Sequence, residues 1–70
     1  MKWSPDAVDR LERAIMEGAR VQIWRRGTEY MLVPSGIRTR GQQDILVGTT
    51  NTGDVLSFPL SEIESYEVIW

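Results

Sequence analysis

The spacing of apolar residues changes once along this chain. Up to Gly18, Val8, Leu11 and Ile15 fall on one helical stripe, with Ala7 and Ala14 on its flanks. Beyond Gly18 the period becomes two, as Val21 and Ile23 alternate with Gln22 and Trp24 in the manner of a half-buried strand. Further strand-like runs follow in EYMLV, DILVGTT, DVLSF and YEVIW. The pattern predicts a single domain over residues 1–70, with a helix over residues 5–17 and a β region over residues 20–70.

Local punctuation supports these boundaries. Ser4 suits the N-cap, where its hydroxyl accepts from a free amide of the first turn, and Pro5 falls where a missing amide costs nothing. Asp6 and Asp9 complement the positive end of the helix dipole, Trp3 and Val8 stand at staple spacing, and Gly18 is a natural stop. Arg26-Gly27-Thr28 supplies a tight turn, and NTGD a hairpin turn with Gly53 available for a positive φ. Pro59 ends the hydrogen bonding of the fourth strand, and LSEIES resembles one helical turn before the fifth. The fold class is therefore α+β, mostly β. An N-terminal helix precedes a five-stranded SH3/Sm-like antiparallel barrel, a closure that limits exposed edges. A flat sheet with the helix on one side is the alternative.

Composition narrows the chemistry. Seventy residues make a small core, and with no cysteine neither disulfides nor thiolate metal sites reinforce it. The absence of histidine removes the commonest general base and metal ligand. Glu62, Glu64 and Glu67 have no histidine, phosphate loop or metal-ligand spacing to work with, so no catalytic residue, metal or cofactor is expected. No apolar run approaches membrane-spanning length and MKWSPDAVDR lacks a signal-like apolar core, so a cytoplasmic protein without membrane contact is expected. The net charge of −2 opposes general attraction to nucleic acid. It conceals an asymmetry: all eight basic residues lie between Lys2 and Arg40, and Gly41 to Trp70 carries only acids.

Read from Leu11 to Ile69, the chain resembles the WYL-type domain of bacterial regulators, an Sm/SH3-like barrel introduced by a helix. LERAIMEGARVQI is similar to its lead-in, WRRGTEYMLVPSGI to its strand–turn–strand unit, and DILVGTTNTGDVLSFPLSEIESYEVI to its hairpin, buried Phe, helical turn and closing strand. The naming Trp-Tyr-Leu tripeptide falls at Asp44-Ile45-Leu46, where only the leucine is kept. The resemblance implies a surface for nucleic acid or nucleotide ligands beside Phe58. The two basic positions of that surface are Pro59 and Glu62 here, so the resemblance carries the fold further than the ligand.

Two arginine-bearing stretches remain as candidate sites. In PSGIRTRGQQD, Arg38 and Arg40 share one side of a strand and, with Gln42 or Gln43, could grip an anion. The plain alternative is a solvated hairpin whose register sets an arginine near Asp44. In Trp24-Arg25-Arg26, the ring could stack on a base, or it could pack under the helix or at a subunit contact. Arg10 and Arg13 follow Asp6 and Asp9 by four residues and need no ligand, and Arg20 can serve the helix C-terminus, which leaves Arg25, Arg26, Arg38 and Arg40 unexplained locally. Tyr66, Val68 and Trp70 share a face of the last strand and are candidates for contact with a protein partner or a second copy. The expected function is a non-catalytic interaction or regulatory module, with a protein partner or a second copy of the chain as the options for its contact. The alternative is a nucleic-acid or nucleotide-anion binder using the arginines.

Overall fold

Helix α1 runs from Pro5 to Glu17 between the two caps its sequence supplies. The Ser4 hydroxyl accepts from the Ala7 amide at 3.2 Å. At the other end Gly18 takes φ 69°, and the amides of Gly18 and Ala19 close on Ile15 O and Ala14 O. That is the Schellman arrangement, in which a left-handed glycine satisfies the last carbonyls. Our description comes from a computed structural model and covers residues 3–70.

Five strands follow: β1 (Arg20–Arg25), β2 (Thr28–Arg40), β3 (Gln43–Thr49), β4 (Val55–Pro59) and, after a 3₁₀ turn at Leu60–Glu62, β5 (Ser65–Ile69). All neighbours are antiparallel, in the order β4-β3-β2-β1-β5. The class is thus one helix on a mostly β, five-stranded antiparallel sheet. β4 and β5 are its two edges and are not paired with each other. Among the described residues, no helix is long and apolar enough to cross a membrane.

β2 is far longer than EYMLV. Pro34 and Gly36 look like the end of a strand, yet pairing continues through them to Arg40. The register shifts by one residue at Ser35, and a bulge is where a strand tolerates a proline without an amide. Before the bulge β2 pairs with β1, and from Val33 onward with β3, so one strand serves two halves of the sheet. Gly48, opposite Pro34, makes the bend fit: a Cβ there would strike the Leu32 side chain and lie 3.0 Å from Val33 O.

The inner face carries Val21, Ile23, Leu32, Leu46 and Phe58, and Leu11 and Ala14 of α1 pack onto it with Leu60 and Ile63. Every buried residue among those described is apolar. Trp3, placed at staple spacing from Val8, works at longer range. Its ring stacks on Tyr66 with centroids 5.1 Å apart, and its Nε1 donates to Leu60 O at 2.8 Å. Tyr66 in turn donates its hydroxyl to Ala7 O at 2.8 Å. These contacts clamp the helix start to β5 and the 3₁₀ turn.

Gly48→Ala is expected to destabilise the fold by about 1–3 kcal/mol, the usual cost of overpacking, which lowers the melting temperature by several degrees. Gly36→Ala is the control, because nothing lies within 4 Å of its added Cβ. Urea unfolding followed by tryptophan fluorescence separates the two, and equal midpoints would remove the close approach at Gly48 as the reason for the bend.

Candidate functional site

The arginines fall into two groups at opposite ends of β2. Arg25 and Arg26 belong to the β1–β2 turn, where Arg26 and Gly27 form a two-residue loop between the paired Arg25 and Thr28. Both loop residues have positive φ, 50° and 74°, as a type I′ hairpin requires. Arg25 donates its Nε to Glu62 Oε1 at 2.9 Å and its Nη2 to the same oxygen, while its guanidinium lies 5.7 Å from the Phe58 ring centroid. Arg26 Nη2 reaches that carboxylate at 4.0 Å. The Gly27 amide donates to Glu64 Oε1 at 3.1 Å. Arg25 therefore has an ion-pair partner within the chain, one supplied from 37 residues away in sequence. Glu62, at a position where the resemblance implies a cation, neutralises this end of the molecule.

Trp24 does not pack under the helix. It alternates with the buried Ile23 and so lies on the outer face, where its Nε1 donates to Glu29 Oε1 at 2.9 Å and Gln22 Nε2 donates to Glu29 Oε2 at 3.2 Å. A carboxylate beside the ring opposes stacking by a phosphate-bearing base.

Arg38 and Arg40 lie on the outer face at the far end of β2. Arg38 is opposite Ile45 and Arg40 opposite Gln43, so Asp44 faces Thr39 and accepts its hydroxyl at 3.0 Å. Neither arginine makes an ion pair among the described residues. With Thr39, Ile45, Val47, Val55 and Ser57 they line a shallow groove of about 480 Å³. The apolar floor of this groove was not foreseen. Its signal is the run Ile45-Leu46-Val47: Leu46 fills the core, which leaves two aliphatic neighbours facing outward.

Tyr66 and Val68 are half-buried on the inner face against the core. Only Trp70 of that trio stands clear, 66% exposed, with the Arg13 guanidinium 5.5 Å from its ring centroid. Arg13 pairs with Glu17 at 2.7 Å and not with Asp9. Both acids are one helical turn away, and Glu17 is the one engaged. Between α1 and β5 runs an open groove of about 870 Å³, bordered by Arg10, Arg13, Tyr66, Glu67 and Trp70. Among the described residues, no cluster of three acids could hold a metal ion.

Burial raises the Tyr66 hydroxyl above its ordinary pKa of 10.0, partly countered by Arg10. A raised folded-state value means that the unfolded chain releases the proton first. The stabilisation from neutral Tyr66 is thus complete below pH 10 and is lost as pH rises through the folded-state value. Tyr66→Phe is expected to cost about 1 kcal/mol near neutral pH through the lost bond to Ala7 O, and to flatten part of the alkaline decline in urea midpoint. An unchanged alkaline profile would assign that decline to other groups. Arg26→Asn is expected to stabilise by about 0.5–1 kcal/mol, since asparagine tolerates the left-handed region and the exposed pair given up is worth little. A loss of stability in the same assay would mean that the contact with Glu62 outweighs the backbone strain.

No protein-family model matches the chain, and no curated protein is similar to it in sequence. The functional reading therefore stands on the geometry of these surfaces.

Proposed function

We propose that this chain is a non-catalytic interaction module of a WYL-like or Sm-like small-barrel type, and that it associates with a second copy. The barrel reading is supported by contacts across the inside of the sheet. The Tyr30 ring on β2 meets Phe58 on β4 with centroids 4.9 Å apart, and Arg25 of β1 reaches Phe58 and the 3₁₀ turn that joins the two edges. The sheet thus coils toward closure without completing its ladder.

The observation that carries the interaction reading is the pair of unpaired edges, one of them ending in an exposed tryptophan. An unpaired strand presents a row of free donors and acceptors to another chain, and proteins usually blunt such edges with charge or proline. β4 ends in Pro59, whereas β5 offers Glu67 as its one charge and then runs into Trp70. Tryptophan is the side chain most often found at the energetic centre of an interface. In this reading Trp70 and the β5 edge form the contact, and Tyr66 and Val68 hold that edge in place from beneath.

The arginine-based alternative draws less support. Arg25 and Arg26 share a carboxylate, Trp24 is held by Glu29, and no contact joins them to Arg38 and Arg40.

Sedimentation equilibrium over a wide concentration range tests the reading. The expected result is a mass that rises with concentration, and an association constant reduced at least about tenfold by Trp70→Asp. A protein that stays monomeric throughout would overturn self-association, and a dimer indifferent to Trp70→Asp would move the interface elsewhere.

A further inference from the structure

The outer face of the β2–β3–β4 half is ordered in rows, because residues paired across antiparallel strands share a face. Its first row is Arg40 with Gln43, and its second is Arg38, Ile45 and Pro59. The third is Gly36, Val47 and Ser57, and the fourth is Val33, Thr49 and Val55. Successive rows are two residues, or about 7 Å, apart along β3 and β4, and the bulge adds one residue to the last step on β2. The face therefore runs from two cations without ion-pair partners to an aliphatic floor. Gly36 leaves that floor open, with nothing within 4 Å of where its Cβ would stand, and Val55 at the far end is 68% exposed.

We propose that this groove binds an extended acidic segment of a partner protein. The segment carries carboxylates at its first and third positions and aliphatic side chains at its fifth and seventh. An extended peptide has the same two-residue period as the rows beneath it, so its first two downward side chains meet Arg40 and Arg38. The next two meet Val47 and Val55. Charge complementarity selects the occupant. The two arginines of the β1–β2 turn share Glu62 of the same chain, whereas Arg38 and Arg40 have no ion-pair partner among the described residues. A guanidinium presents a planar fork that matches a carboxylate. The groove lining offers no aromatic ring on which a nucleobase could stack, and the aliphatic floor suits a peptide side chain better than a sugar–phosphate backbone. This surface lies on the outer face, away from α1 and Trp70, so the inference goes beyond self-association and can fail or hold without it.

The test is an amide NMR titration of the full chain with the blocked peptide Glu-Ser-Glu-Ser-Ile-Thr-Val at low and moderate salt. Three comparison probes are the peptide with both glutamates replaced by lysine, the peptide with both aliphatic residues replaced by serine, and an oligothymidylate of similar length. Shifts confined to residues 36–40, 45–47 and 55–57, weaker at moderate salt and weaker for both altered peptides, are the expected result. The double variant Arg38→Glu, Arg40→Glu is expected to lower affinity at least about tenfold. Val55→Ser, which changes only an exposed side chain, is expected to lower it by a smaller factor. Arg10→Glu is expected to leave it unchanged, and retained shift dispersion verifies that each variant is folded. Stronger shifts with oligothymidylate at the same amides would overturn the peptide assignment in favour of a nucleic acid. Shifts of these amides on dilution of the free protein would make a second copy the occupant, and no shifts with any probe would remove the site. Because the self-association reading is measured by mass and by Trp70→Asp, its failure is distinguishable from the failure of this one.

Discussion

The bend in β2 at Ser35 is the constraint on which the rest of this fold depends. A single strand of thirteen residues pairs with β1 along its first part and β3 along its second, so the direction of β2 sets the direction of everything else. The change of direction needs three things at one place. It needs an extra residue in the bulge, a proline whose missing amide leaves no donor stranded, and a partner residue on β3 with no side chain. Gly48 is that partner, and the Leu32 side chain occupies the space its Cβ would take. The bend brings Leu32 and Leu46 into one core beneath α1 and turns Arg38 and Arg40 away on the outside.

Coiling the sheet without closing it has consequences for the edges. β4 and β5 are not paired with each other, and the chain has no disulfide to join them. The 3₁₀ turn bridges them instead. Leu60 and Ile63 point into the core, Leu60 O takes the Trp3 indole, and Glu62 takes Arg25 and Arg26. Three residues thus anchor the helix start, the core and the β1–β2 turn together. The acids of the C-terminal half are therefore mixed in space with arginines of the N-terminal half, even though the two signs are separated along the chain.

What the sequence made legible was mostly local. The helix is readable because its stripe, Ser4, Pro5 and Gly18 are all within a turn of the effects they have. The turn at Arg26-Gly27 and the hairpin at Gly53 are readable for the same reason. The true length of β2 was not, because Pro34 and Gly36 mean an ending locally and a bulge only when Gly48 stands opposite. Trp3 is similar: Val8 is its neighbour in sequence, yet Tyr66 and Leu60, some sixty residues on, supply its stacking and its hydrogen bond. For the candidate sites, strand alternation placed Arg38 and Arg40 on one side correctly. It could not show that Glu62 answers Arg25, since that pairing depends on how far the sheet coils.

The same coiling explains why the two arginine pairs differ in character. Arg25 sits where the sheet turns inward, so its guanidinium is drawn over Phe58 and meets an acid from the connection between the edges. Arg38 and Arg40 sit past the bend on the outer face, beside Ile45, Val47 and Val55, while the one carboxylate of β3, Asp44, is turned to Thr39. Of these aliphatic side chains Val55 is largely exposed while Ile45 and Val47 are half-buried, and surface charges without ion-pair partners add little to the stability of a monomer. The helix, the bend and the clamp at Trp3 all have structural reasons for their residues. Arg38 and Arg40 have no ion-pair partner among the described residues, and that contrast with Arg25 is the physical ground for looking to a partner there.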